Sequence, residues 1–206
     1  DGGFDLEGFA VGAAERGTLL SSEMPQDGDI AIALPSSGVH ANGFSLVRKI
    51  IEVTGTSLDA RVAGIDAPLG EALMAPTRIY HHAARTAQAG GGLTGICHVT
   101  GGGLVENPPR VYRDELALAL DCASWDLPPI FQWLARQGGV PAGELARTFN
   151  CGIGMLLFVA ADKADVCLAT LRGGPEPDAW IAGRLGPRGD GPAVSFAGQD
   201  SWPTGN

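Results

Sequence analysis

The sequence predicts an α+β fold: a mixed β-sheet covered by helices. Three observations predict it. Short apolar runs of strand type, such as Ile30–Leu34 and Leu156–Ala160, alternate irregularly with segments of helical period, such as Phe44–Val53 and Pro129–Gln137. That irregular order argues against a doubly wound parallel sheet. Glycine contributes 31 of 206 residues, about twice its usual share. Much of it lies in loops between apolar runs, which suits a ligand-binding domain better than a helical bundle. The hydrophobic fraction of 45% supplies a core and excludes wholesale disorder.

The elements follow in order. Phe4–Glu15 reads as one or two strands broken by glycine. Gln26-Asp27-Gly28-Asp29 is a turn that feeds the strand Ile30–Leu34. A helix from Phe44 to about Thr54 puts Phe44, Val47, Ile50 and Ile51 on one face. Gly55–Pro68 is irregular and polar. Leu69–Ala75 is a short helix, and Pro76 opens the next, with Ile79, Ala83 and Ala87 in one stripe and Gly90-Gly91-Gly92 as its stop. Adjacent His81 and His82 point to different faces and are expected at the surface. Gly95–Val99 and Leu116–Asp121 are strands. Pro129–Gln137 is a helix with Ile130, Phe131, Trp133 and Leu134 on its apolar side, and Pro141–Arg147 is another. Trp125 and Trp133 read as core or interface residues. After the strand Leu156–Ala160, Asp162 is placed to N-cap a helix running to Leu171. Ala179–Leu185 and Pro192–Phe196 are the last strands, and residues 197–206 are expected to form a loose tail.

Composition narrows the partners. A net charge of −9 disfavours general nucleic-acid binding but permits a phosphate ligand, which local N–H groups can hold. Cys97, Cys122, Cys151 and Cys167 are widely spaced and form no Cys-x-x-Cys pair. Neither a structural metal site nor a disulfide framework is expected, and a cytoplasmic setting with reduced thiols follows. No apolar run approaches the roughly 20 residues of a membrane span. The chain starts at Asp1-Gly2-Gly3 without Met or a signal-peptide pattern, so it is expected to be a piece of something longer.

The stretch of greatest interest is Leu34-Pro35-Ser36-Ser37-Gly38-Val39-His40-Ala41-Asn42-Gly43-Phe44-Ser45. It joins a strand to a helix start, so unpaired backbone N–H groups and the positive end of a helix converge there. A phosphate is the natural occupant of such a point. Ser36, Ser37 and Ser45 offer hydroxyls, Asn42 an amide and His40 an imidazole, while Gly38 and Gly43 allow positive φ. A plain β–α turn made of turn-forming residues is the competing reading. The stretch lacks the Gly-Lys-Ser/Thr ending of a Walker A loop. A second loop, Thr100-Gly101-Gly102-Gly103, follows Gly95–Val99. It is either a close-approach loop beside a ligand or a flexible turn.

Ser36-Ser37-Gly38-Val39-His40-Ala41-Asn42-Gly43-Phe44-Ser45-Leu46-Val47-Arg48-Lys49 closely resembles a signature of the phosphoribosylformylglycinamidine cyclo-ligase family, also called aminoimidazole ribonucleotide synthetases. Four further stretches resemble that family in the expected order. Phe4–Gly12 is similar to the junction between its two domains, and Ala75–Tyr80 to its helix motif. His98–Asn107 resembles its glycine loop, and Arg147–Met155 its late loop-and-strand motif. The likeness covers about residues 4–185. Ala41 departs from it, since the family usually has Ser there.

The resemblance implies a domain plan. Residues 1–12 would be the end of an absent N-terminal ATP-binding domain and the junction, residues 13–196 the C-terminal synthetase domain, and 197–206 the tail. It implies ATP and Mg as cofactors, both held mainly by that N-terminal domain, and formylglycinamidine ribonucleotide as substrate. It also implies the N-terminal domain as a partner and a homodimer for the full-length enzyme. The reaction would transfer the γ-phosphoryl of ATP to a formamide oxygen, so that a neighbouring nitrogen closes the imidazole ring. His40 and Asn42 are then the candidate catalytic residues. Ser36, Ser37, Gly38, Gly43, Ser45, Thr100, Gly101, Gly102, Gly103 and Asn150 are the candidate substrate contacts. His40 could orient the substrate amide or shuttle a proton. A sister enzyme of the same ATP-using superfamily, or a phosphate-binding piece without turnover, are the alternatives.

Overall fold

The computed structural model describes residues 8–202. Six strands form one sheet in the order β2-β4-β1-β5-β3-β6. They are β1 (Ile30–Pro35), β2 (Leu93–His98), β3 (Leu116–Asp121), β4 (Ile153–Val159), β5 (Trp180–Pro187) and β6 (Val194–Ala197). All neighbours pair antiparallel except β3 and β6, which run parallel, so the sheet is mixed. The seven helices are α1 (Phe44–Thr54), α2 (Leu69–Leu73), α3 (His81–Ala89), α4 (Gly103–Glu106), α5 (Pro129–Gly138), α6 (Ala142–Thr148) and α7 (Ala164–Arg172).

Helices cover both faces, and the central strands show why. In β1, Ala31 and Ala33 join a core with Val47 and Ile50 of α1 and Phe131 and Leu134 of α5. The alternate residues Ile30, Ile32 and Leu34 join a second core with Ala83 and Ala87 of α3 and Cys167, Leu168 and Leu171 of α7. A strand buried on both sides reads as a continuous apolar run, which is how β1 and β4 appear in the sequence. The four cysteines are free and buried. Among the described residues no helix is long and apolar enough to cross a membrane.

Four expectations need correction. Residues 8–15 form no strand. Phe9 is 94% and Val11 89% exposed, so the apolar pattern there has nothing to pair with among the described residues; positions 4–7 lie outside the described residues. Pro76 does not open α3. Residues 76–80 are non-helical, Tyr80 is the N-cap, and Ile79 is exposed rather than in the core stripe. Asp162 lies in a short 3-10 turn, and Lys163, without a side-chain bond, precedes α7. The tail is not loose as far as Trp202, whose ring is buried against Trp125, and Gln199 Nε2 donates to the Ala142 carbonyl at 3.2 Å. Residues 203–206 lie outside the described residues. His81 and His82 are exposed as expected.

Candidate functional site

Antiparallel pairing decides where the loops meet. β4 runs opposite to both β1 and β2. The loop after β1, the glycine loop after β2 and the loop before β4 therefore share one edge of the sheet. Backbone bonds weld them there: Ser36 N–H donates to Gly152 O at 2.8 Å and Val99 N–H to Gly154 O at 2.9 Å. A bulge between Leu34 and Pro35 ends β1 and turns the chain into the loop.

The segment Arg147–Asn150 is the floor under both loops. Gly43, with φ 75°, sits on the ring of buried Phe149, and a Cβ at 43 would run into that ring. Gly103 lies against the Ala146 and Phe149 carbonyls, again with no room for a side chain. Gly43 brings its backbone onto a ring and Gly103 brings its backbone onto backbone, and Gly101 lies beside Asn42 Oδ1. The two glycine-bearing loops thus form one surface.

At the start of α1, the N-cap is Gly43, no side chain caps the helix, and Leu46 and Val47 both donate to Gly43 O. The N–H groups of Gly43, Phe44 and Ser45 find no protein acceptor among the described residues. Three open donors at the positive end of an eleven-residue helix make a ready anion cradle. Ser45 is exposed, and Asn42 is half-buried beside it. An open cleft of about 380 Å³ adjoins them, lined by His40, Ala41, Phe44 and residues 73–77. A larger cavity of about 770 Å³ under Trp125 and Trp202 holds none of these groups.

Other loop residues are committed to structure. Ser36 N–H is bonded as above, and Ser37 N–H donates to His40 Nε2 at 3.2 Å. Ser37 Oγ donates to the Pro76 carbonyl at 2.6 Å. Among the described residues the bonded amides between Ser36 and Ser45 are those of Ser36, Ser37 and Asn42, so the donors at 43–45 are the part of a wider open set that a helix start backs. Asn150 is 2% exposed. Its Nδ2 donates to Gly38 O at 2.8 Å, and its Oδ1 accepts from Gly152 N–H at 2.9 Å. These two bonds make Asn150 a clamp on the loop. Thr100 is likewise occupied: its hydroxyl donates to Asn107 Oδ1 at 2.9 Å. Asn107, overlooked as a site residue, also donates to the carbonyls of Gly101 and Gly103 and so fastens the glycine loop.

His40 is 4% exposed and has φ 57°, a left-handed value rarely adopted outside glycine. Burial, His98 and Arg78 together lower its pKa from 6.5 to about 4. That environment favours the neutral imidazole. Its ring stands 6.3 Å from both Tyr80 and His98. Tyr80 donates its hydroxyl to Pro35 O at 2.8 Å, and burial raises its pKa. Arg78 lies over the Tyr80 ring and pairs with buried Glu176 at 2.7 Å. Burial raises the Glu176 pKa against the opposing pull of Arg78. Tyr80, Arg78 and Glu176 form a strut that sequence reading missed, because Glu176 lies 98 residues from Arg78. Among the described residues no three His, Cys, Asp or Glu side chains gather to hold a metal ion.

Residues 26–194 match the family described as AIR synthase related protein, C-terminal domain. The chain belongs to that family. It is 46% identical over 198 residues to the phosphoribosylformylglycinamidine cyclo-ligase of Bordetella avium (strain 197N), covering 95% of this chain and 56% of that protein. It is 48% identical over 185 residues to the enzyme of the same name from Burkholderia cenocepacia (strain HI2424), covering 90% and 52%. The chain thus spans about half the length of these relatives. Its fold is similar to thiamine-monophosphate kinase from Stenotrophomonas maltophilia K279a, with a TM-score of 0.59 at 18% identity, covering 90% of this chain and 55% of that one. It is also similar to the hydrogenase maturation protein HypE of E. coli, with a TM-score of 0.54 at 17% identity over 87% of this chain and 49% of that one.

Proposed function

We propose that this chain is the substrate-gripping half of an ATP-dependent phosphoribosylformylglycinamidine cyclo-ligase of purine biosynthesis. The observation that carries the reading is the uncapped start of α1, with the N–H groups of Gly43, Phe44 and Ser45 open beside the glycine loop. There the ribose 5′-phosphate of formylglycinamidine ribonucleotide is held by backbone donors and the Ser45 hydroxyl. Asn42, next to Gly43 and facing Gly101, adds its side-chain amide to the same cradle. The names of the two cyclo-ligases at 46% and 48% identity support this choice of substrate.

The chemistry sets what the site must do. A formamide oxygen leaves poorly, so ring closure stalls. When the γ-phosphoryl of ATP is transferred to that oxygen, ADP departs and an iminophosphate forms. The neighbouring nitrogen then attacks the formyl carbon, a proton is lost, and the oxygen leaves as inorganic phosphate. Such transfer depends on positioning and charge stabilisation, which rigid backbone donors supply. Mg and most of the ATP contacts are assigned to the N-terminal domain, as in the family this chain resembles. In the same reading that domain pairs with a second copy in a cytoplasmic homodimer. The isolated chain is then a binder without turnover.

Calorimetry tests the reading. The ribonucleotide should bind the chain, and its nucleoside without the 5′-phosphate should not. Equal affinity for the two would contradict the cradle, and phosphate release by the isolated chain with ATP would contradict the division of labour.

A further inference from the structure

We propose that His40 is locked as the neutral Nδ1–H tautomer and acts as a fixed hydrogen-bond donor to a phosphate oxygen of the ligand. The inference rests on the site described under Proposed function. Its geometric basis is one bond. Ser37 N–H points at His40 Nε2 at 3.2 Å, so that nitrogen must keep its lone pair. A neutral imidazole has one donor and one acceptor, so the proton sits on Nδ1. Nδ1 is buried and has no partner among the described residues. A buried donor left open is costly unless something fills it.

The surroundings hold this state in place. Asn150 pins the Gly38 carbonyl, and Tyr80 pins the Pro35 carbonyl, on either side of the Ser37 amide. The backbone at 40 accepts a left-handed φ of 57°, which aims the ring inward. The groups facing the ring are His98 from β2, and Tyr80 and Arg78 from residues 76–80, with Glu176 behind Arg78. Tyr80 has its hydroxyl proton committed to Pro35 O. Arg78 is positive, and no carboxylate touches the imidazole. Nothing there favours the imidazolium, and burial opposes it. His40 also lines the 380 Å³ cleft together with Ala41 and Phe44, the first residue of α1.

Nitrogen-15 NMR of the labelled chain reads the tautomer directly, with His40→Asn assigning the signal among the four histidines. His40 should show a protonated Nδ1, a bare Nε2, and no titration between about pH 5.5 and 8.5. A protonated Nε2, or titration near 6.5, overturns the inference and leaves the phosphate cradle standing. Ribose 5-phosphate is the binding probe. Its addition should move the Nδ1 resonance. His40→Ala should weaken it about tenfold or more, and His40→Asn, which keeps an N–H near the Nδ1 position and tolerates positive φ, should recover most of that loss. If Asn is as weak as Ala, the donor role falls. If ribose 5-phosphate does not bind the unaltered chain, this inference and the site reading fall together.

Discussion

Asn150→Ala separates a structural clamp from a substrate contact. The wild-type side chain satisfies Gly38 O at 2.8 Å and Gly152 N–H at 2.9 Å, both buried. Truncation leaves one acceptor and one donor without partners. Each such group costs about 1–3 kcal/mol, so the expected loss is about 2–6 kcal/mol. A domain of ordinary stability, about 5–15 kcal/mol, survives this and can be measured. With a urea slope of about 2 kcal/mol/M, the unfolding midpoint should fall by about 1–3 M. Circular dichroism against urea is the assay. An unchanged midpoint combined with lost ribonucleotide affinity would refute the clamp and restore Asn150 as a ligand contact.

Three further outcomes follow from the same geometry. Gly43→Ala forces a left-handed residue and a methyl group onto Phe149, so it should cost about 2–4 kcal/mol in chemical denaturation; a neutral effect would mean the loop does not rest on that ring. In a cyclo-ligase of the relatives' full length, His40→Ala and Asn42→Ala should each lower turnover on the order of 10²-fold, and near-normal rates in both would remove them from the site. His40 binds a proton more readily in the unfolded chain, at 6.5, than in the folded one, at about 4. Its contribution to stability is therefore complete above about pH 6.5 and is lost as pH falls towards 4, with a slope of up to about 1.4 kcal/mol per pH unit. His40→Asn should flatten that part of the stability profile, and an unaltered profile would count against the burial of the ring.

Much of the fold was legible because its signals are local. β1 and β4 are unbroken apolar runs, and α1 and α5 carry the helical period, so their positions follow from side-chain spacing alone. The errors fell where local pattern and tertiary partner disagree. Phe9 and Val11 have the look of a strand but no neighbouring strand among the described residues. Pro76 suits a helix start, yet Ser37 Oγ donates to its carbonyl and the chain stays non-helical to Tyr80. The site shows the same division. A strand–loop–helix stretch announces open amides, and Gly43–Ser45 at the uncapped start of α1 are among them. No local rule says which polar side chains are already taken. Nothing in the sequence reveals Gly38 as the partner of Asn150 or Asn107 as the partner of Thr100. The Arg78–Glu176 strut was invisible for the same reason.

The most direct test is an amide chemical-shift titration of the labelled chain with ribose 5-phosphate. The amides of Gly43, Phe44 and Ser45 should shift furthest and saturate together, with Gly101 following. Saturating shifts confined to another surface, or none at those three amides, would contradict the account.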